Sequence, residues 1–150
     1  MLEKSLSFIS NYLNQEIKKY YQLSEDGVVL GNLINPDGSS TVNCENKIII
    51  SLLNVEQGKK PESALLSMHV LVSANYSNYL EALKMLSSVM RIVGPVNSIS
   101  RSNFPDMDSS IDKLDFETCD VSIKEMGKIW NAIGAKYVPS VIYKVRIIAA

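Results

Sequence analysis

At 150 residues, with 46% hydrophobic and 21% charged side chains, the chain has the size and composition of one globular domain, which excludes a disordered tail or a fibre. Fifteen basic and sixteen acidic residues leave a formal charge of −1, so composition supplies no electrostatic case for nucleic acid or an anionic membrane as partner. Two cysteines, Cys44 and Cys119, lie far apart and exclude both a zinc ribbon and a disulfide framework.

The N-terminus, "MLEKSLSFISNYLNQ", lacks the unbroken apolar run of a signal peptide. Leu2, Leu6, Ile9, Leu13, Ile17 and Tyr20 recur at steps of three and four, which predicts an amphipathic helix over 1–22. Turn signals at Asp26-Gly27 and Pro36-Asp37-Gly38 bracket a short strand, Val28 to Leu33. "NKIIISLLNVE" is a continuous, β-branched apolar run and reads as a mostly buried strand. After a loop from Gln57 to Glu62, "SALLSMHVLVSAN" alternates. It places Leu66, Met68, Val70, Val72 and Ala74 on one face, and Leu65, Ser67, His69, Leu71 and Ser73 on the other. The run from Ser63 to Leu80 is uncharged, but its half "SANYSNYL" is too polar for a bilayer core.

At "NYLEALKMLSSVMRIVGP" the period changes from two to 3.6. Asn78 with Glu81 forms an N-terminal cap, and Gly94-Pro95 ends the helix. Val96 to Ser110 reads as a long loop with room for a short strand, and "IDKLDFETCDVS" as a further strand. Ser122 with Glu125 caps the last helix, whose predicted buried stripe is Ile123, Met126, Ile129, Trp130 and Ile133, with Gly134 as its stop. Pro139-Ser140 blocks further helix, and a strand follows with Val141, Tyr143, Val145, Ile147 and Ala149 on its core face. The expectation is an α+β fold in a single domain spanning 1–150: a helix over 1–22 and a core over 23–150, with helices packed on a mixed β-sheet.

Chemistry is sparse. His69 is the single histidine, with no Gly-x-Ser-x-Gly elbow, phosphate loop or dinucleotide fingerprint to accompany it. "DMDSSIDKLDFE" has the acidic spacing of a calcium loop, yet Ile111 stands where that loop needs glycine. No cofactor, metal or catalytic residue is therefore expected. Charge is unevenly spread. Residues 104–121 hold six acids against Lys113, and residues 122–150 hold five bases against Glu125. Two differently solvated surfaces explain this, as do complementary faces of neighbouring subunits. In the second case Asp106, Asp108, Lys136, Lys144 and Arg146 are the candidate interface residues.

Two stretches, "HVLVSANYSNYLEALKMLSSVM" and "IDKLDFETCDVSIKEMGKIWNAIGAKYVPSVIYKVRIIAA", together resemble the cap, or tail-terminator, family of extracellular contractile injection systems, the phage-tail-like particles typified by the antifeeding prophage. The matching positions are Ser73 to Tyr76, Tyr79, Glu81 to Lys84, Trp130, Ala132, Gly134 to Tyr137, Pro139, Ser140 and Tyr143 to Arg146. Residues 94–110 depart from the family pattern. The resemblance implies a non-catalytic structural protein that forms a homo-oligomeric, six-fold ring on the inner tube and sheath and stops their polymerisation. It would contact tube protein and sheath protein, without nucleic acid or membrane insertion, in the cytoplasm during assembly and then in an injection particle. The alternative from the residues alone is a monomeric α+β adaptor that binds a ligand or protein.

Overall fold

The computed structural model describes residues 1–39, 41, 44–58 and 66–150. In chain order these form α1 (Leu2–Tyr21), β1 (Val28–Leu30), β2 (Lys47–Gln57), β3 (Leu66–Asn75), α2 (Tyr79–Val93), β4 (Ser98–Ser100), β5 (Ile111–Thr118), α3 (Ile123–Ile133) and β6 (Ser140–Ala149). The strands share one sheet of order β1-β2-β3-β6-β5-β4. β1 runs parallel to β2, and every other neighbouring pair is antiparallel. The sheet is thus mixed and the fold α+β, as the sequence predicts. Leu65 and residues 59–62, placed above on a strand and a loop, lie outside the described residues.

The apolar terminal segment is explained by its place. β6 lies between β3 and β5, with Val70 opposite Tyr143 and Leu114 opposite Ile147. An internal strand satisfies its backbone groups on both edges and buries side chains on its faces. Tyr143, Val145 and Ile147 are buried as expected, whereas Val141 is half-buried and Ala149 exposed. Burial pushes the Tyr143 phenol up to about 12, so the ring stays neutral and packs as a hydrophobe.

One sheet face carries the main core. Ile48 and Ile50 of β2, Met68, Val70, Val72 and Ala74 of β3, and Leu114 of β5 meet Leu6, Ile9, Leu13 and Ile17 of α1 and Ala82, Met85 and Val89 of α2. Burying each large aliphatic side chain contributes about 1.5–3 kcal/mol. The predicted stripe of α1 holds in its middle and frays at its ends, for Leu2 is half-buried and Tyr20 is 60% exposed. α1 closes with Gln22 in the left-handed region at φ 54°. Asn14 Oδ1 then accepts from Gly27 N at 2.8 Å, which ties the following turn to the helix. α2 and α3 start as their sequences dictate. Asn78 Oδ1 accepts from Glu81 N at 2.9 Å, and Ser122 Oγ accepts from Glu125 N at 3.1 Å.

The segment 94–110 is a packed clasp rather than an open loop. β4 pairs with β5, Met107 enters the main core, and Phe104 sits edge-on to Phe8 and Tyr12 of α1 at 5.9 and 5.7 Å.

On the opposite sheet face a smaller core forms from Leu71, Ile142 and Trp130 of α3. Here one expectation fails. Only Trp130 of the predicted α3 stripe is buried. Met126, Ile129 and Ile133 are half-buried, and Ile123 is 95% exposed. Helical periodicity marks an apolar stripe but not the width of the surface that receives it. In this fold α3 faces only the patch around Leu71 and Ile142, and its N-terminal turn overhangs it.

Candidate functional site

The five charges proposed for an interface occupy different environments. Asp106 is exposed on the clasp, on the same side of the sheet as α1. Asp108 is held within the chain. It accepts from the Ser110 side chain and from Ser110 N at 3.0 Å, with Lys4 Nζ 3.9 Å away. Those hydrogen bonds, and then the Lys4 charge, hold its carboxyl below the usual range. Lys144 lies 3.9 Å from Glu56, and Arg146 Nη2 lies 2.9 Å from Glu117. Lys136 is exposed beyond α3 and, like Asp106, has no ion-pair partner among the described residues. Three of the five charges are thus engaged at home, and Asp106 and Lys136 are available to a neighbour. They lie on opposite sides of the sheet.

Between α3 and the sheet runs a groove of about 500 Å³, with walls formed by Leu52, Leu53, Val121, Ile129, Ile133 and Ile142. A bulge shapes it. The β2–β3 register slips between Leu52 and Asn54: Leu53 packs on the α3 side, and the slip brings Asn54 opposite His69. Cys119, His69 and Asn54 also line the groove, a combination that no sequence spacing revealed. These residue types serve nucleophilic catalysis only when hydrogen-bonded in series. Here no hydrogen bond links Cys119 to His69, and His69 Nδ1 is buried without a hydrogen-bond partner among the described residues, 3.9 Å from Glu56 Oε1. Most of the groove lining is aliphatic, so its walls offer mainly apolar contact.

A second apolar feature lies on the other side of the sheet. α2 has its inner register, Ala82, Met85, Val89 and Val93, in the main core. Its outer register is left uncovered: Leu80 is 76% exposed, Leu83 38% and Met90 49%. The signal was legible as apolar residues in two helical registers of one segment, but periodicity alone could not say which register faces the sheet. Ser88 packs inward, hydrogen-bonded to Tyr21 Oη, and orients α2 against α1.

Among the described residues no group of three or more His, Cys, Asp or Glu side chains is placed to hold a metal ion. Ile111, at the glycine place of the calcium-like spacing, is fully buried as the first residue of β5. No helix among the described residues is long and apolar enough to cross a membrane.

Comparison with known proteins adds to this geometry. Residues 7–150 match the family model described as the Pvc16 N-terminal domain. Among solved structures the fold is similar, with a TM-score of 0.57 and 14% identity, to a chain described as "Cryo-EM Structure of an Extracellular Contractile Injection System, PVC sheath/tube terminator in extended state". The likeness covers 93% of this chain and 55% of that one, so the chain spans about half the length of the solved relative. No curated protein sequence matches it.

Proposed function

The chain belongs to the Pvc16 N-terminal domain family, and on that premise we propose that it is a structural terminator of a contractile injection particle. It forms a six-fold ring on the distal end of the inner tube and sheath, contacts both proteins and stops their polymerisation. Residues 1–150 act as one domain, with α1 as part of its core. The observation that carries this reading is the family match over 7–150. The sheet supports it by presenting two unlike surfaces, as rotational closure requires. Head-to-tail rings join one surface of a subunit to a different surface of the next.

Asp106 and Lys136, unpaired and on opposite sides of the sheet, meet across the ring joint. An exposed ion pair contributes only about 0–1 kcal/mol, so these charges set orientation and register while apolar contact supplies most of the affinity. No step of this function needs a catalytic group. The chain assembles in the cytoplasm and leaves as part of the particle.

The test is assembly with the tube and sheath proteins of the same particle. With the chain present, electron microscopy should show particles of uniform length ending in a ring. Without it, tubes and sheaths should lack a defined length. Asp106→Lys should weaken capping, and Lys136→Glu in the same chain should partly restore it. Uniform particles in the absence of the chain would remove the terminator reading.

A further inference from the structure

Two unpartnered apolar features lie on opposite sides of the sheet and have opposite shapes. One is the convex ridge Leu80-Leu83-Met90 on α2, where 80, 83 and 90 fall at the seam positions of consecutive heptads. The other is the concave groove between α3 and the sheet. Each feature is flanked by one uncompensated charge. Arg91, next to Met90, stacks its guanidinium 4.1 Å from the Tyr20 ring and donates to the Tyr20 hydroxyl at 3.3 Å, but no carboxylate of the described residues reaches it. Asp120, between the groove residues Cys119 and Val121, is exposed and has no cationic partner among the described residues.

We propose that the α2 ridge of one copy seats in the α3-side groove of the next, with Arg91 against Asp120. This inference rests on the ring reading and supplies its apolar joint. The occupant is a second copy because the ridge and the groove are different surfaces of the same chain with complementary form and charge. Repeating their contact therefore propagates around a ring instead of ending at a pair.

Area limits the strength of the joint. A helix of 15 residues is about 22 Å long and about 10 Å wide, so its face offers on the order of 200 Å². A stable interface needs about 800 Å² per partner. The ridge is therefore an anchor whose pairwise contact is weak in free solution, and the ring persists once closure or the tube end adds contacts.

A covalent trap reads such a weak contact, and the protein carries half of one, since Cys119 lines the groove. Full-length Leu83→Cys, concentrated and mildly oxidised, should give a ladder of dimers, trimers and higher multimers on non-reducing electrophoresis. Each copy then offers a ridge thiol and a groove thiol. Adding Cys119→Ser should abolish every band above dimer. Cys44 is common to both variants and cannot produce the difference. Arg91→Glu should reduce the ladder, and Asp120→Arg in the same chain should restore it, while circular dichroism confirms that each variant is folded. A Leu83→Cys chain that is folded yet stops at dimer, or a ladder that survives Cys119→Ser, overturns the proposal. The two readings fail separately. Capped particles without a thiol ladder remove this joint alone, and a ladder from a chain that does not cap removes the terminator role alone.

Discussion

Trp130 is the one fully buried side chain of α3, and Ile123 on the same predicted stripe is 95% exposed, so the two should respond very differently to truncation. Trp130→Ala removes the indole from its contacts with Leu71 and Ile142 and with the Tyr137 ring 5.3 Å away. Large-to-small substitution of a buried tryptophan costs about 3–5 kcal/mol. The lower half of that range applies here, because the indole Nε1 donates to no partner among the described residues, so none of their hydrogen bonds is lost with it. For a domain of this size 1 kcal/mol moves the melting temperature by about 2–4 °C, so a loss of about 3–4 kcal/mol in Trp130→Ala should lower it by about 6–16 °C. Ile123→Ala deletes solvent-facing atoms and should stay within about 0.5 kcal/mol of the parent. Thermal melts followed by circular dichroism at a helix wavelength measure both without relying on tryptophan emission. Equal losses in the two variants would refute the reasoning, because they would mean that α3 packs through its N-terminal turn.

Deleting residues 145–150 removes the buried Val145 and Ile147 from the strand between β3 and β5. At about 2–5 kcal/mol per core side chain, plus the broken ladders, the loss matches or exceeds the stability of a typical domain, so the truncated chain should be insoluble or molten. An unchanged melting temperature would contradict this. Asp26 is held below the usual carboxylate range by hydrogen bonds from Lys18 and Asn14, and Asp108 by those from Ser110. A depressed folded pKa means stability that is present above the unfolded value of about 4 and lost as pH falls through the folded value. The turn after α1 and the clasp at Phe104 should therefore hold at neutral pH and loosen only in acid. Carboxyl NMR titrations should show both midpoints below the usual aspartate range. His69→Gln should leave particle length unchanged, and a hydrolytic activity of the parent that this variant loses would overturn the structural reading.

Much of this molecule is legible from local pattern. Alternation in "MHVLVSA" determined which side chains of β3 enter the main core, because a strand has a period of two and one face was uniformly apolar. Asn78 and Ser122 marked their helix starts because capping is satisfied within four residues. The family resemblance likewise rested on contiguous motifs. What the tertiary structure alone decided involves distance along the chain. The short strand β4 pairs locally with β5 in a segment read as a loop with room for one, but the seating of Phe104 on α1, which makes that segment a clasp, joins partners 90 residues or more apart at Phe8 and Tyr12. The burial of Trp130 without Ile123 depends on how far the apolar patch around Leu71 and Ile142 extends, a property of three strands and not of α3. The outer register of α2 is exposed because only one of its two apolar faces can meet the sheet. Lys144 and Arg146 were readable as charges, but their engagement by Glu56, across β3, and by Glu117, on the adjacent β5, follows from the strand order, about which hydrophobic periodicity carries no information.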